Sequence, residues 1–164
     1  EEAVSYIAER VKMVQDILER PLVLENVSYY IAPDQQLSEL EFINALLTEA
    51  NCKMLLDVNN VYVNSINHRY DPYAFIDGLP SERIVYGHIA GHYAEAEDLR
   101  VDTHGSDVIE PVWDLLAHSY RKHHVFPTLL ERDFNIPALE VLLNEVQRIK
   151  HIQQAVSAEQ QGVA

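Results

Sequence analysis

Apolar residues recur at helical spacing near the start of the chain, with Ala3, Val4, Ile7, Val11, Val14 and Leu18 on one stripe. That period predicts an amphipathic helix over 3–18, stopped by Arg20 and Pro21. A compact apolar run, LVLE, follows and ends at Glu25. A second stripe through Leu40, Ile43, Leu47 and Ala50 predicts a helix over 37–50, and CKMLLD is another buried-strand run, ending at Asp57. The Asn- and Tyr-rich segment 59–73 reads as a loop, and DPYAFIDGL as a short helix from Pro72 to about Asp77. ERIVYGHIAGH holds a third strand with His88 at its end. Beyond the loop LRVDTHGSDV, the residues Val112, Leu115, Leu116 and Tyr120 predict a helix over 111–122. VFPTLLERD is a fourth strand ending at Glu131, and Leu139, Leu142, Leu143, Val146 and Ile149 predict a last long helix over 136–152. Residues 155–164 have little to bury and are expected to form a disordered tail after a folded domain over 1–154.

Short, continuous apolar strands separated by helices predict an α/β protein, about four parallel strands covered by helices. No GxGxxG or GxxxxGK[ST] follows any strand, which argues against a dinucleotide or P-loop site.

The four strands end alike. Each stops at a side chain that binds metals: Glu25, Asp57, His88 and Glu131. The DTHG loop adds Asp102 and His104, whose i, i+2 spacing points both side chains the same way in an extended segment. In a (β/α) barrel the active site is built at the C-terminal strand ends, so these six converge on one mouth. Four carboxylates in a low-dielectric site repel one another, and cations relieve that. Imidazole with carboxylate suits Fe, Zn or Mn. Asn59 and Asn60 are candidates for ligands, for hydrogen-bond donors to ligands, or for turn residues. His92 is a candidate to support or cover the site, and His68 to reach the mouth.

Composition narrows the picture. Cys52 is the only cysteine, which excludes an internal disulfide framework and a cysteine zinc site. Asp and Glu number 26 against 12 Lys and Arg, a formal charge of −14 that disfavours nucleic acid. No apolar run approaches the roughly 20 residues of a membrane helix, so no membrane partner is expected. No targeting segment is recognised, and a cytoplasmic location is expected.

Taken in order, ENVSYY, LLDVNNVYVN, NH then DP, GHIAGH, DTHG and LLERD resemble the bacterial family of multinuclear iron proteins that contains the methanobactin-biosynthesis oxygenase (MbnB-like). The resemblance covers nearly all of residues 20–150. It implies a TIM barrel of the xylose-isomerase-like superfamily, two or three bound irons, and oxidation of cysteine in a ribosomally synthesised peptide presented with a partner protein. Carried over, the metal carboxylates are Glu25, Asp57, Asp102 and Glu131 and the histidines His88 and His104, with Asn59 at a position that can ligate. The layout is also similar to the endonuclease IV family, whose histidine three residues after the Asp is here Asn60.

A full barrel has eight strands, and four are visible. The resemblance therefore implies the C-terminal half of a TIM barrel. Its open strand edges predict association with the missing N-terminal half or with a second copy. Zn or Mn in place of Fe would instead mean a phosphoesterase or sugar isomerase of the same superfamily. A metal-binding partner or fragment without turnover is a third expectation.

Overall fold

The strands are β1 (Val23–Glu25), β2 (Lys53–Asp57), β3 (Ile84–Ala90), β4 (Tyr93–Ala96), β5 (Leu99–Val101) and β6 (Thr128–Glu131). The helices are α1 (Glu2–Leu18), α2 (Glu39–Ala50), α3 (Val58–His68), α4 (Pro72–Asp77), α5 (Glu110–Lys122) and α6 (Leu139–Gly162). They come from a computed structural model that describes residues 2–33 and 35–162.

Four strands form one parallel sheet in the order β1-β2-β3-β6, the order of the chain. This is a mixed α/β architecture consistent with part of a TIM-barrel-like fold. One face of the sheet is covered. Met54, Leu56, Ile84 and Ile89 pack into a core with Leu47 of α2, Val58 and Val61 of α3 and Leu115 and Leu116 of α5. The other face is less covered, and at its edges Val23 and Leu129 are 42% and 46% exposed. Side chains alternate along a strand, so Asp57 shares the face of Leu55 rather than that of Leu56.

Local chemistry sets the helix ends. Ser38 and Glu41 form a reciprocal capping box at α2, which ends on Asn51 in the left-handed region at φ 48. Asp71 caps α4 ahead of Pro72.

Four expectations are corrected. Residues 58–68 form helix α3 rather than a loop. Asparagine disfavours a helix interior because its amide competes for nearby backbone. Here Asn60 and Asn64 turn their amides to the loop after β1, onto Asn26 O and Val27 O. Strand β3 runs two residues past His88, to Ala90. Part of the loop between His88 and Asp102 is an antiparallel hairpin, β4–β5. The expected tail is helical through Gly162, because Val156 is fully buried against the core; residues 163 and 164 lie outside the described residues.

No helix among the described residues is long and apolar enough to cross a membrane.

Candidate metal centre

Each strand of the parallel sheet delivers one donor. Single ligand atoms of Glu25, Asp57, His88 and Glu131 lie within 4.8 Å of one another. The pairing explains the convergence: Asp57 sits opposite His88 between β2 and β3, with Glu25 at the end of β1 and Glu131 at the end of β6. His88 Nδ1 is the hub, 3.1 Å from Glu131 Oε2, 3.3 Å from Glu25 Oε1 and 3.8 Å from Asp57 Oδ2. None of these approaches has hydrogen-bond geometry. His88 Nδ1, Asp57 Oδ2, Glu131 Oε2 and His104 Nε2 are all buried without a hydrogen-bond partner. Buried polar atoms are nearly always satisfied, and the three on Asp57, His88 and Glu131, which face one another, need an explanation. A cation supplies it, so the residues present fit a metal ion, and a set of carboxylates and imidazoles without thiolate suits Fe, Mn or Zn.

A second group adjoins the first. His104, Glu131 and Asp133 also bring ligand atoms within 4.8 Å of one another. Glu131 belongs to both groups and can bridge. His104 occupies the left-handed region at φ 49. Its Nε2 lies 2.7 Å from Asp102 Oδ1, and its Nδ1 lies 3.2 Å from Asp133 Oδ2. Asp102 is held on both oxygens, by Asn59 Nδ2 at 2.9 Å on Oδ1 and Ser28 Oγ at 2.9 Å on Oδ2.

The electrostatics follow from crowding. Burial pushes the Asp57 carboxyl up to about 7; the Asn60 amide opposes the shift and the charges of Glu25 and Asp102 add to it. His104 is raised to about 9 by the Asp102 carboxylate beside it, against the effect of burial. His88 is raised by Glu25, also against burial, with Glu131 and Asp57 adding to the shift. Burial pushes Asp102 up, but His104 and Ser28 outweigh it and the carboxyl ends below its usual range. His92 is driven down to about 4 by burial.

The structure thus brings Glu25, Asp57, His88, His104 and Glu131 together, and places Asp102 against His104. Asn59 is fully buried and bonds Asp102. Its carbonyl oxygen meets His92 Nδ1 at 2.8 Å. Asp57 caps α3 from inside the site, its Oδ1 accepting from the Asn60 backbone N–H, while Asn60's own Oδ1 is buried and unpartnered. His68 is outside both groups. Its ring stacks on Tyr29 with centroids 4.0 Å apart, and its Nε2 meets Tyr29 O at 2.8 Å, fastening the loop after β1. Asp133 is the residue the sequence reading missed. It follows Glu131 by two residues in LLERD, the same spacing as Asp102 and His104, and that spacing was its signal.

A parallel α/β sheet whose strand ends gather acids and imidazoles defines a candidate metal protein. A family model described as "RiPP precursor modification enzyme MbnB/TglH/ChrH" matches residues 1–154, and the chain belongs to this family. It is 65% identical over 149 residues to a UPF0276 protein of Shewanella loihica, covering 91% of this chain and 54% of that protein. It is 64% identical over 154 residues to one from Nitrosospira multiformis, covering 93% and 54%. A Pseudomonas aeruginosa UPF0276 protein is 53% identical over 153 residues, again covering 93% and 54%. The chain spans about half the length of the curated relatives it matches.

Proposed function

We propose that this chain is the C-terminal half of a TIM-barrel metalloenzyme that oxidises cysteine in a ribosomally synthesised peptide, using two or three irons. The observation that supports this is the cluster of one ligand atom from each of four neighbouring strands, three of them (on Asp57, His88 and Glu131) buried without a hydrogen-bond partner, in a chain whose family is described as modifying peptide precursors. Glu25, Asp57, His88 and Glu131 would hold one ion. His104 and Asp102, with Glu131 bridging and Asp133 at the rim, would hold a second. Iron bound there supplies the redox chemistry for oxidising a thiol with dioxygen as oxidant. The protein's own part is placement. Asp57 closes the dry floor of the site, while the side chains of Glu25 and Glu131 remain 35% and 25% exposed and mark the side open to a substrate.

The remaining half of the barrel would pair with the open edges of β1 and β6 and cover the sheet face bearing Val23 and Leu129. The peptide substrate and a partner protein that presents it belong to that complete assembly.

The test is elemental mass spectrometry on protein purified without oxygen or chelator, with Glu131→Ala as control. Iron bound in the wild type and lost in the variant is expected. Zinc or manganese would redirect the reading to phosphoester hydrolysis or sugar isomerisation. No metal in this chain or in the full-length protein would overturn it. Iron without oxidation of any peptide by the full-length protein would leave a metal-binding partner.

A further inference from the structure

Behind the candidate ligand Asp102 run two side chains, Asn59 and His92, that the metal reading alone does not require. His92, Asn59 and Asp102 come from the turn after β3, the first turn of α3 and the loop after β5. His92 Nδ1 meets Asn59 Oδ1 at 2.8 Å, and Asn59 Nδ2 donates to Asp102 Oδ1 at 2.9 Å. Asn59 is fully buried and His92 is 7% exposed, so water offers these groups little alternative.

The polarity of these two bonds is fixed by the acidic end. An ionised carboxylate accepts only, so the Asn59 atom facing Asp102 is the amide nitrogen. The other end of the amide is then its carbonyl oxygen, also an acceptor. His92 must supply the hydrogen, and its Nδ1 is a donor. The ring is held in turn by Tyr62, whose centroid lies 5.1 Å away.

We infer that His92 is a positioning residue: through Asn59 it fixes the direction in which Asp102 presents its carboxylate to His104 and to the metal site. The second oxygen of Asp102 is already held by Ser28, so Asn59 removes the remaining rotation about the carboxyl group. Without His92 the Asn59 amide can flip or rotate, and Asp102 loses its buried anchor. Asn59, one hydrogen bond removed from Asp102, is the kind of partner worth about 10- to 100-fold in metal affinity, and His92 acts through it.

The inference rests on the metal reading, and the experiment separates the two. Cobalt(II) is titrated into the metal-free chain, following the visible absorption of the ion and its affinity, in the wild type and in His92→Ala, His92→Asn and His92→Phe. Asparagine places an amide N–H where the imidazole Nδ1–H stood. Phenylalanine keeps the ring against Tyr62 and donates nothing. Positioning predicts that Ala and Phe weaken cobalt binding by about 10-fold, and by no more than about 100-fold, and alter its spectrum, while Asn restores both. A packing role predicts the opposite order, rescue by Phe and not by Asn, and that order would overturn the inference, as would four proteins that bind cobalt alike. Circular dichroism melts of all four, without metal, show which are folded. A folded wild type that binds no cobalt, as this chain and as the full-length protein, overturns the metal reading itself, and the positioning role with it.

Discussion

Asp57→Asn should stabilise the metal-free protein and abolish its metal binding. Asp57 is fully buried, its carboxyl is raised to about 7, and its Oδ2 has no hydrogen-bond partner. Asparagine keeps an oxygen to accept from Asn60 N–H at the start of α3, so the cap survives. Its amide nitrogen becomes a donor directed toward the Glu25–His88 side. The charge is lost, and one acceptor becomes a donor. A native pKa above the unfolded one means the folded state holds its proton while the unfolded state has released it. Stability therefore falls as pH rises from about 4, the unfolded value, and levels off above about 7. Three pH units of displacement correspond to about 4 kcal/mol, an upper bound because local relaxation reduces it. Urea denaturation in EDTA between pH 4.5 and 8 measures the difference. The advantage of the variant should be small at the acid end, grow steadily toward neutrality and then flatten. With saturating metal the order should reverse, since binding to the native state stabilises only the wild type. A variant less stable than wild type at pH 8 without metal, or a difference independent of pH, would refute the electrostatic reading of the cluster.

Three further outcomes follow from the packing. A Cβ on Gly91 would lie 2.0 Å from Ser106 O and 2.7 Å from Asp107 O, both backbone atoms, so Gly91→Ala should cost about 1–3 kcal/mol in chemical denaturation; an unchanged midpoint would contradict that close approach. Ser38→Ala removes the capping box of α2 and should cost about 1 kcal/mol by the same assay, with Ser38→Gly losing much less. Val156→Ala opens a void under α6 and should cost on the order of 1–2 kcal/mol, whereas a neutral effect would mean that this end of the helix is not docked.

The strands were legible because short apolar runs ending in polar residues leave little choice between a buried strand and anything else. Their parallel arrangement was legible too, because parallel neighbours joined by helices are the simplest use of that pattern. Helix α3 was not. Its asparagines looked like turn residues, and only the structure shows Asn64 accepting from Tyr29 N and donating to Val27 O, which spends the amide on a neighbouring loop. The end of α6 was hidden for a related reason: AVSAEQQG has one residue, Val156, that meets the core, and a single apolar residue makes no period. Within the site, Glu25, Asp57, His88 and Glu131 were marked by position at strand ends, and His104 by its spacing from Asp102. The bonds of His92 to Asn59 and of Asn59 to Asp102 join residues 33 and 43 positions apart, and no local pattern encodes them.

One donor per strand has a consequence for how such a site comes into being. Glu25, Asp57, His88 and Glu131 lie on four separate strand–helix units, and no two of them are near neighbours in the chain. A growing or partly unfolded chain offers a passing ion little more than isolated carboxylates, which bind weakly and without preference. The four ligand atoms come together only once β6 is paired with β3. Capture of an ion by this site would therefore be a late event and a check on assembly: a chain that has misplaced any one unit has no complete site to fill.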